Sequence, residues 1–204
     1  MKQINITRSN GNVTFEEVSI DATENVFFTN LDPQQAHWPY LDPQAKSPDF
    51  CDNQVGPAPS PNSSQCTVPT PKDLNPPNNK VTYTCKFHAN EQGTINVFAQ
   101  LAAANQKLPP AKVNQPLPAP GVQVVVGGKS PYTITGQLFQ ITGNHPASGS
   151  NSIGLGLKLN ASTNNQGITV TGTPTVVGTY NFTFTVNDAM GRNLQQVQYS
   201  MVVS

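Results

Sequence analysis

Apolar and polar residues alternate along several short segments of the chain, as they do in strands that bury one face. In the stretch TYNFTFTV at 179–186, every second residue is apolar. The pattern predicts strands at Asn5–Thr7, Val13–Ile20, Asn25–Asn30, Lys80–Cys85, Gly93–Phe98, Val122–Val126, Tyr132–Thr135, Ile168–Thr171, Thr179–Asn187 and Gln195–Val203. Ser9-Asn10-Gly11-Asn12 predicts a hairpin turn. The sequence therefore predicts an all-β fold.

Helical periodicity is nearly absent, and the best helical candidate, Gln100–Lys107, would supply one or two turns at most. The composition agrees with this, because 19 prolines and 15 glycines are typical of short strands joined by many turns. A length of 204 residues suits one large β domain or two small ones.

The chain divides by composition into two predicted domains. Residues 108–121 hold five prolines in fourteen positions and are predicted to form an extended linker. Before them, residues 1–107 form the first domain, with a proline-rich insert at 40–79 that is too long to be idle. After them, residues 122–204 contain no cysteine and read as a β-sandwich by strand count and spacing.

Charge excludes one class of partner. Only 11% of residues are charged, and Lys+Arg equals Asp+Glu, so the chain has no basic footprint for nucleic acid. No apolar run approaches the ~20 residues of a membrane span. The N-terminus has no signal peptide, so the chain is either cytosolic or the mature form of an exported protein.

The three cysteines favour export. Cys51 and Cys66 bracket a Pro-, Ser- and Asn-rich loop, and a disulfide between them would contribute roughly 3 kcal/mol in the chain-entropy model. The alternative is two free surface thiols. A disulfide would indicate a periplasmic, cell-surface or extracellular location. Cys85 is left unpaired, in a different setting.

Cys85 ends a predicted strand and His88 follows three residues later, in a short loop before the next strand. Thiolate and imidazole converging on one centre suit copper. A trigonal site needs a second imidazole, and His37 follows the strand at Asn25–Asn30. Each residue also has a plainer interpretation: Cys85 as a buried structural thiol, and the two histidines as ordinary loop residues. The third histidine, His145, is interpreted as a turn residue.

The segment Tyr83–Val97 resembles the cupredoxin (blue copper) family, in which an upstream His joins a Cys-x-x-His-x-x-ligand-x-Gly loop between the last two strands. The resemblance covers roughly residues 1–103 and is closest to short-loop members such as amicyanin. It implies a Greek-key sandwich holding one copper ion through His37, Cys85 and His88. At the axial position, where the family usually has Met, this chain has Glu91. Gln92 is the second candidate, and the absence of a protein axial ligand is a third possibility.

Trp38 and Tyr40 directly follow His37. They have two interpretations of equal weight: an aromatic surface where a redox partner docks, or loop packing against the insert.

The second domain resembles the Ig-like (cadherin-like) modules of bacterial surface and secreted proteins. The resemblance rests on GLKLNAST at 156–163 and on GITVTGTPTVVGTY at 167–180, continuing to Asp188. It implies a spacer or adhesion unit. Calcium is not expected, because Asp188 is the only acidic residue of the domain, and the domain contains no set of catalytic residues.

The sequence thus predicts a secreted or periplasmic mononuclear copper protein that transfers single electrons to an unidentified redox partner, rather than an enzyme. One alternative is a copper enzyme acting on a small molecule at an open coordination position. Another is a non-redox copper-binding or surface interaction protein.

Overall fold

The structure is a computed structural model, and it describes residues 1–40, 54–58, 64–67, 80–141 and 152–204. Within these ranges the chain forms strands and turns, which confirms the predicted all-β class. No helix with the length and apolar character of a membrane span occurs in them. The chain divides into two compact units, Met1–Ala99 and Gln100–Ser204.

The first unit is a two-layer β-sandwich. Its described strands are β1 (Lys2–Ser9), β2 (Asn12–Phe15), β3 (Val18–Asp21), β4 (Asn25–Asn30), β5 (Pro39–Tyr40), β6 (Ser64–Thr67), β7 (Lys80–Cys85) and β8 (Gln92–Phe98). They form two sheets in the orders β2-β1-β4-β6 and β3-β8-β7-β5. Alternate residues of β4, β7 and β8 are buried. Apolar side chains from both sheets join in one cluster, which holds the layers together.

The first hairpin agrees with its sequence and the segment after it does not. Asn10 and Gly11 have φ values of 50° and 82°, as a two-residue hairpin turn requires. The predicted single strand Val13–Ile20 is wrong, because β2 and β3 lie in different sheets. The exposed Glu16 and Glu17 separate them, and the Glu16 carboxylate accepts a hydrogen bond of 2.8 Å from the Asn5 side chain. The chain therefore crosses between the sheets at this acidic pair.

Tyr83 fills the core beneath the end of the sandwich that carries His37. Its ring lies across from Gly93 in the β7–β8 pairing, and a Cβ at Gly93 would come within 2.2 Å of the ring. Phe15 contacts the Tyr83 ring edge-on at 5.5 Å and the His37 ring at 5.8 Å between centroids. Gly93 is thus required for close packing of the aromatic layer under the histidine.

The second unit is also built from two sheets. Its described strands are β9 (Ala102–Ala103), β10 (Val122–Val126), β11 (Thr133–Ile141), β12 (Ser152–Gly154), β13 (Leu157–Ala161), β14 (Ile168–Gly172), β15 (Gly178–Asn187) and β16 (Asn193–Val203). The sheet orders are β12-β13-β14-β10-β9 and β11-β15-β16. One apolar cluster joins them, including a stack of Phe182, Phe184 and Tyr199.

The structure differs from the sequence prediction over residues 100–121. Gln100–Lys107 contains β9 instead of a helical turn, and Leu101 and Leu108 are buried in the second core. Backbone N–H groups of Leu108, Ala111 and Val113 donate to the carbonyls of Ser200, Val202 and Ser204. The predicted linker 108–121 is therefore part of the second unit: its first half runs along the end of β16, and Leu117 N then donates to Gly172 O at the end of β14. The segment is not extended throughout, because Gln115 N donates to Lys112 O and Asn114 has a φ of 59°. The residues between the prolines supply the N–H donors, which proline lacks.

Candidate metal centre

Two strand ends and one loop bring the predicted ligands to one end of the first unit. Cys85 is the last residue of β7, and β5 pairs with β7 so that Pro39 lies opposite Cys85. His37, two residues before Pro39, is fixed by its own backbone: its N–H donates to Val55 O at 3.0 Å, and its carbonyl accepts from Val55 N at 2.8 Å. The imidazole of His37 is thereby held beside the sulfur.

The loop between β7 and β8 is closed by backbone hydrogen bonds. His88 N donates to Cys85 O at 3.1 Å, Glu91 N donates to His88 O at 2.9 Å, and Cys85 N donates to Glu91 O at 2.9 Å. This tight turn explains why a Cys-x-x-His-x-x-Glu spacing works here: each of the three residues faces the same side of the loop.

The four side chains form one cluster. Cys85 Sγ lies 3.9 Å from His37 Nδ1 and 3.5 Å from His88 Nδ1. Glu91 Oε2 lies 2.8 Å from His37 Nδ1 and 3.2 Å from His88 Nδ1. One donor atom from each of the four residues falls within 4.8 Å of the others. The structure thus brings together His37, Cys85, His88 and Glu91.

The cluster is enclosed on one side and reaches solvent on the other. His37 is fully buried and Cys85 is 1% exposed. The side chains of Glu91 and His88 are 15% and 31% exposed. Gln92, the second axial candidate, is exposed at the start of β8, where it pairs with Thr84. Of the two candidates, Glu91 is therefore the one that joins the cluster.

The surroundings favour a thiolate at Cys85. Burial raises the pKa of the thiol, but hydrogen bonds from His37, from the Trp38 and Phe87 backbone N–H groups and from His88 outweigh it and bring the pKa to about 7. Trp38 N lies 3.3 Å from the sulfur. For His37, burial lowers the pKa, but hydrogen bonds to Cys85 and Asp32 raise it by more than burial lowers it, so the net shift of the pKa is upward. The deprotonated sulfur is the form that binds metals.

Behind His37 stands an ion pair that the sequence analysis missed. His37 Nε2 lies 3.0 Å from Asp32 Oδ2, and the same oxygen accepts from Arg8 Nε at 2.9 Å. The sequence gives one indication of the role of Asp32, because this acidic residue lies only five positions before His37. For Arg8 the sequence gives no indication, because only the parallel pairing of β1 with β4 brings it next to Asp32, 24 residues away.

The aromatic residues after His37 lie at the surface of the same loops. Lys86 Nζ lies 4.1 Å from the Trp38 ring centroid, and the exposed Phe87 contacts that ring edge-on at 5.8 Å. Tyr40 is half-buried and pairs with Thr84 through its backbone. Trp38 thus belongs to a small patch with Lys86 and Phe87 next to His88. Both interpretations of Trp38 and Tyr40, partner surface or packing, stay predictions.

Two further predictions concern residues that the structure does not describe. Cys51 lies outside the described residues, so the Cys51–Cys66 disulfide stays a prediction; the backbone of Cys66 lies in β6, opposite Val26. His145 also lies outside the described residues.

Comparison with known proteins gives a family for the second unit. Residues 98–204 match the family described as "Putative Ig domain". The match begins two residues before the second unit does and includes the proline-rich segment 108–121. No curated protein matches the chain.

Proposed function

The chain belongs to the "Putative Ig domain" family through residues 98–204, and we propose that the first unit, on the same chain, is a mononuclear copper domain that transfers single electrons. One observation carries the proposal: a sulfur, two imidazole nitrogens and a carboxylate oxygen meet within 4.8 Å at the end of a small sandwich.

The donor set fits copper. Thiolate suits Cu(I), imidazole serves both oxidation states, and carboxylate is a harder donor that favours Cu(II). With metal–nitrogen and metal–sulfur bonds of about 2.0 and 2.3 Å, two such ligands of one ion lie roughly 3.5–3.7 Å apart in tetrahedral or trigonal geometry. The sulfur–nitrogen distances of 3.5 and 3.9 Å are close to this range. His37, Cys85, His88 and Glu91 would hold the ion.

Bound copper would supply a one-electron couple, in which Cu(II) gains an electron from one redox protein and Cu(I) loses it to another. The chain's own contribution is to keep the ligands in place. Backbone hydrogen bonds close the Cys85–Glu91 loop, and two more fix His37. The ligand side chains should therefore move little when the copper changes oxidation state. His88, the most exposed of the four, gives a docked partner its shortest approach.

The resemblance to cupredoxins supports the same function. The strand–loop–strand unit from Tyr83 to Val97 has the family's ligand spacing, and the upstream histidine is present. Glu91 at the axial position departs from the usual methionine, and the chain's three methionines are Met1, Met190 and Met201. A carboxylate there should lower the reduction potential and move the spectrum away from that of blue copper. An exported location remains part of the proposal, and it depends on the Cys51–Cys66 disulfide that the sequence predicts.

The test is a copper titration followed by absorption and EPR spectroscopy. We expect one Cu(II) per chain with an intense sulfur-to-copper charge-transfer band, and loss of that band in Cys85→Ser. His145→Ala, at the third histidine, should leave both the stoichiometry and the band unchanged. Wild-type protein that binds no copper, or a band that survives in Cys85→Ser, would contradict the proposal.

A further inference from the structure

The Arg8–Asp32 pair is built around a single carboxylate oxygen. Asp32 Oδ2 accepts from Arg8 Nε at 2.9 Å, lies 2.8 Å from Arg8 Nη2 and lies 3.0 Å from His37 Nε2. Its other oxygen, Oδ1, accepts from Gln34 N at 2.9 Å. Asp32 is fully buried, and the Arg8 side chain is 15% exposed. Both carboxylate oxygens are therefore engaged, and the group has no freedom to rotate.

Neighbouring groups hold the pair in turn. Asp32 N donates to Asn30 Oδ1 at 2.9 Å, and Asn30 Nδ2 donates to Gln35 O at 2.8 Å. Arg8 Nη2 donates to Gln35 Oε1 at 2.6 Å. The segment between β4 and His37 is thus hydrogen-bonded to both members of the ion pair. These hydrogen bonds fix the position of Asp32 relative to the imidazole.

This arrangement decides which nitrogen of His37 faces the metal cluster. A carboxylate paired with arginine is only a hydrogen-bond acceptor, so Nε2 must carry the proton that it shares with Asp32. Nδ1, on the side of Cys85 and Glu91, is then the nitrogen whose lone pair would bind the ion, in place of the hydrogen bond that it makes to Glu91 Oε2 at 2.8 Å without metal. A carboxylate on the far nitrogen also makes the imidazole a stronger donor, as in other carboxylate–histidine–metal sites.

Stability alone does not account for such a pair. Taking two charges out of water is costly, and well-packed apolar residues often replace a buried ion pair without loss. The second unit offers a comparison: Asp188 pairs with Arg192 at 2.6 Å, but the Asp188 carboxylate also accepts from the backbone N–H groups of Lys129, Met190 and Arg192. Asp188 fixes a turn, whereas Asp32 faces a histidine.

We propose that Arg8 and Asp32 are positioning residues of the metal site, which set the tautomer of His37 and bias the site toward Cu(II) without touching the ion. This inference rests on the proposed copper function. The negative charge of Asp32 should stabilise Cu(II) more than Cu(I), and the positive charge of Arg8 should oppose it. The two charges therefore predict potential shifts of opposite sign.

The experiment compares Asp32→Asn, Arg8→Gln and the matched control Asp188→Asn in the full chain. Cu(II) affinity is measured by competition with a chelator, and the potential by redox titration. For Asp32→Asn we expect a loss in Cu(II) affinity of about 10- to 100-fold and a higher potential, by about 59 mV for each tenfold change in the Cu(II)-to-Cu(I) affinity ratio. Arg8→Gln should lower the potential, and Asp188→Asn should change neither quantity.

The outcomes separate the two proposals. Wild-type protein without copper binding would overturn the proposed function and this inference with it. Copper binding with a wild-type potential in both Asp32→Asn and Arg8→Gln would overturn the inference alone. Should Asp32→Asn fail to fold, Arg8→Gln decides: a lowered potential supports the positioning role, and an unchanged or raised one refutes it.

Discussion

The two units of this chain bury polar side chains in different ways. Among the described residues, the first unit buries Asn30, Asp32 and His37 together, and the second buries Asp188. Asp188 accepts from the backbone N–H groups of Met190 and Arg192 in its own turn and of Lys129 in another loop, and it pairs with the Arg192 side chain. Asp32 accepts one backbone N–H and faces Arg8 and His37.

The difference shows how to tell a structural polar group from a functional one. A buried carboxylate that accepts from backbone N–H groups solves a local folding problem, because those donors would otherwise lack partners. A buried carboxylate that contacts side chains solves no such problem. Its burial must then have another explanation, and for Asp32 we propose that it orients His37.

Truncating a core side chain of the second unit should destabilise that unit and leave the stability of the first unit unchanged. Phe184 is fully buried and stacks on Tyr199 at 5.3 Å, so Phe184→Ala should lower the free energy of unfolding of the second unit by about 3–5 kcal/mol. The single tryptophan, Trp38, reports on the first unit alone. The unfolding transition of the first unit and the copper spectrum should stay at wild-type values. Circular dichroism should show that the second unit unfolds at a lower denaturant concentration than in wild type. A shifted Trp38 transition would show that the units depend on one another.

The strands of both units were largely predictable because their patterns are local. Asn25–Asn30, Lys80–Cys85 and Val122–Val126 agree in both bounds with the alternation of apolar residues. Leu157–Ala161 was not predicted as a strand although it alternates too, because glycines and other turn residues surround it. Residues 108–121 show the limit: proline-rich composition predicts an extended chain, but not that β16 offers carbonyls for it to pair with.

The candidate site was predictable for the same reason as far as it is local. Cys85, His88 and Glu91 lie in one loop, so their spacing is visible in the sequence. His37 was inferred from the small number of histidines. Arg8 escaped, because its role depends on the parallel register of β1 and β4, which places Ile6 opposite Asn30. Parallel pairing leaves no mark on either strand's own pattern.

The thiol of Cys85 should make the stability of the first unit depend on pH. Its pKa is about 7 in the folded chain against an ordinary value of 9.0. An acid with a lowered pKa stabilises the fold fully above its unfolded pKa, and this contribution is lost as the pH falls through the folded value. In metal-free protein the difference between wild type and Cys85→Ser should therefore grow by about 2 kcal/mol between pH 7 and 9.

Urea unfolding followed by Trp38 fluorescence measures this difference in the first unit. The second unit contains no cysteine, so its own transition should show no such dependence on residue 85. A constant difference across the same pH range would mean that the sulfur is protonated at neutral pH, and would remove the electrostatic basis for a thiolate ligand.

A methyl group at Gly93 should disturb the site from below. Because its Cβ would lie within 2.2 Å of the Tyr83 ring, Gly93→Ala must displace the aromatic layer that contacts His37. We expect a loss of about 1–3 kcal/mol in the first unit, with a weakened charge-transfer band. In the second unit Gly191, with φ of 76° and nothing within 4 Å of its Cβ position, is the control: Gly191→Ala should cost about 1–2 kcal/mol through its backbone alone and leave the band unchanged.

The smallest effect should come from the carboxylate of Glu91, the fourth residue of the proposed copper site. Glu91 Oε2 lies within 3.2 Å of a nitrogen of both histidines, so Glu91→Ala removes a hard oxygen donor and one negative charge. The potential should rise by about 59 mV, equal to a tenfold loss of Cu(II) affinity relative to Cu(I), and the visible spectrum should shift. Gln92→Ala is the matched control, since Gln92 is exposed one residue further along. If Glu91→Ala has the wild-type spectrum, or if Gln92→Ala changes it as much, Glu91 is not a ligand and the site is held by the sulfur and the two imidazoles.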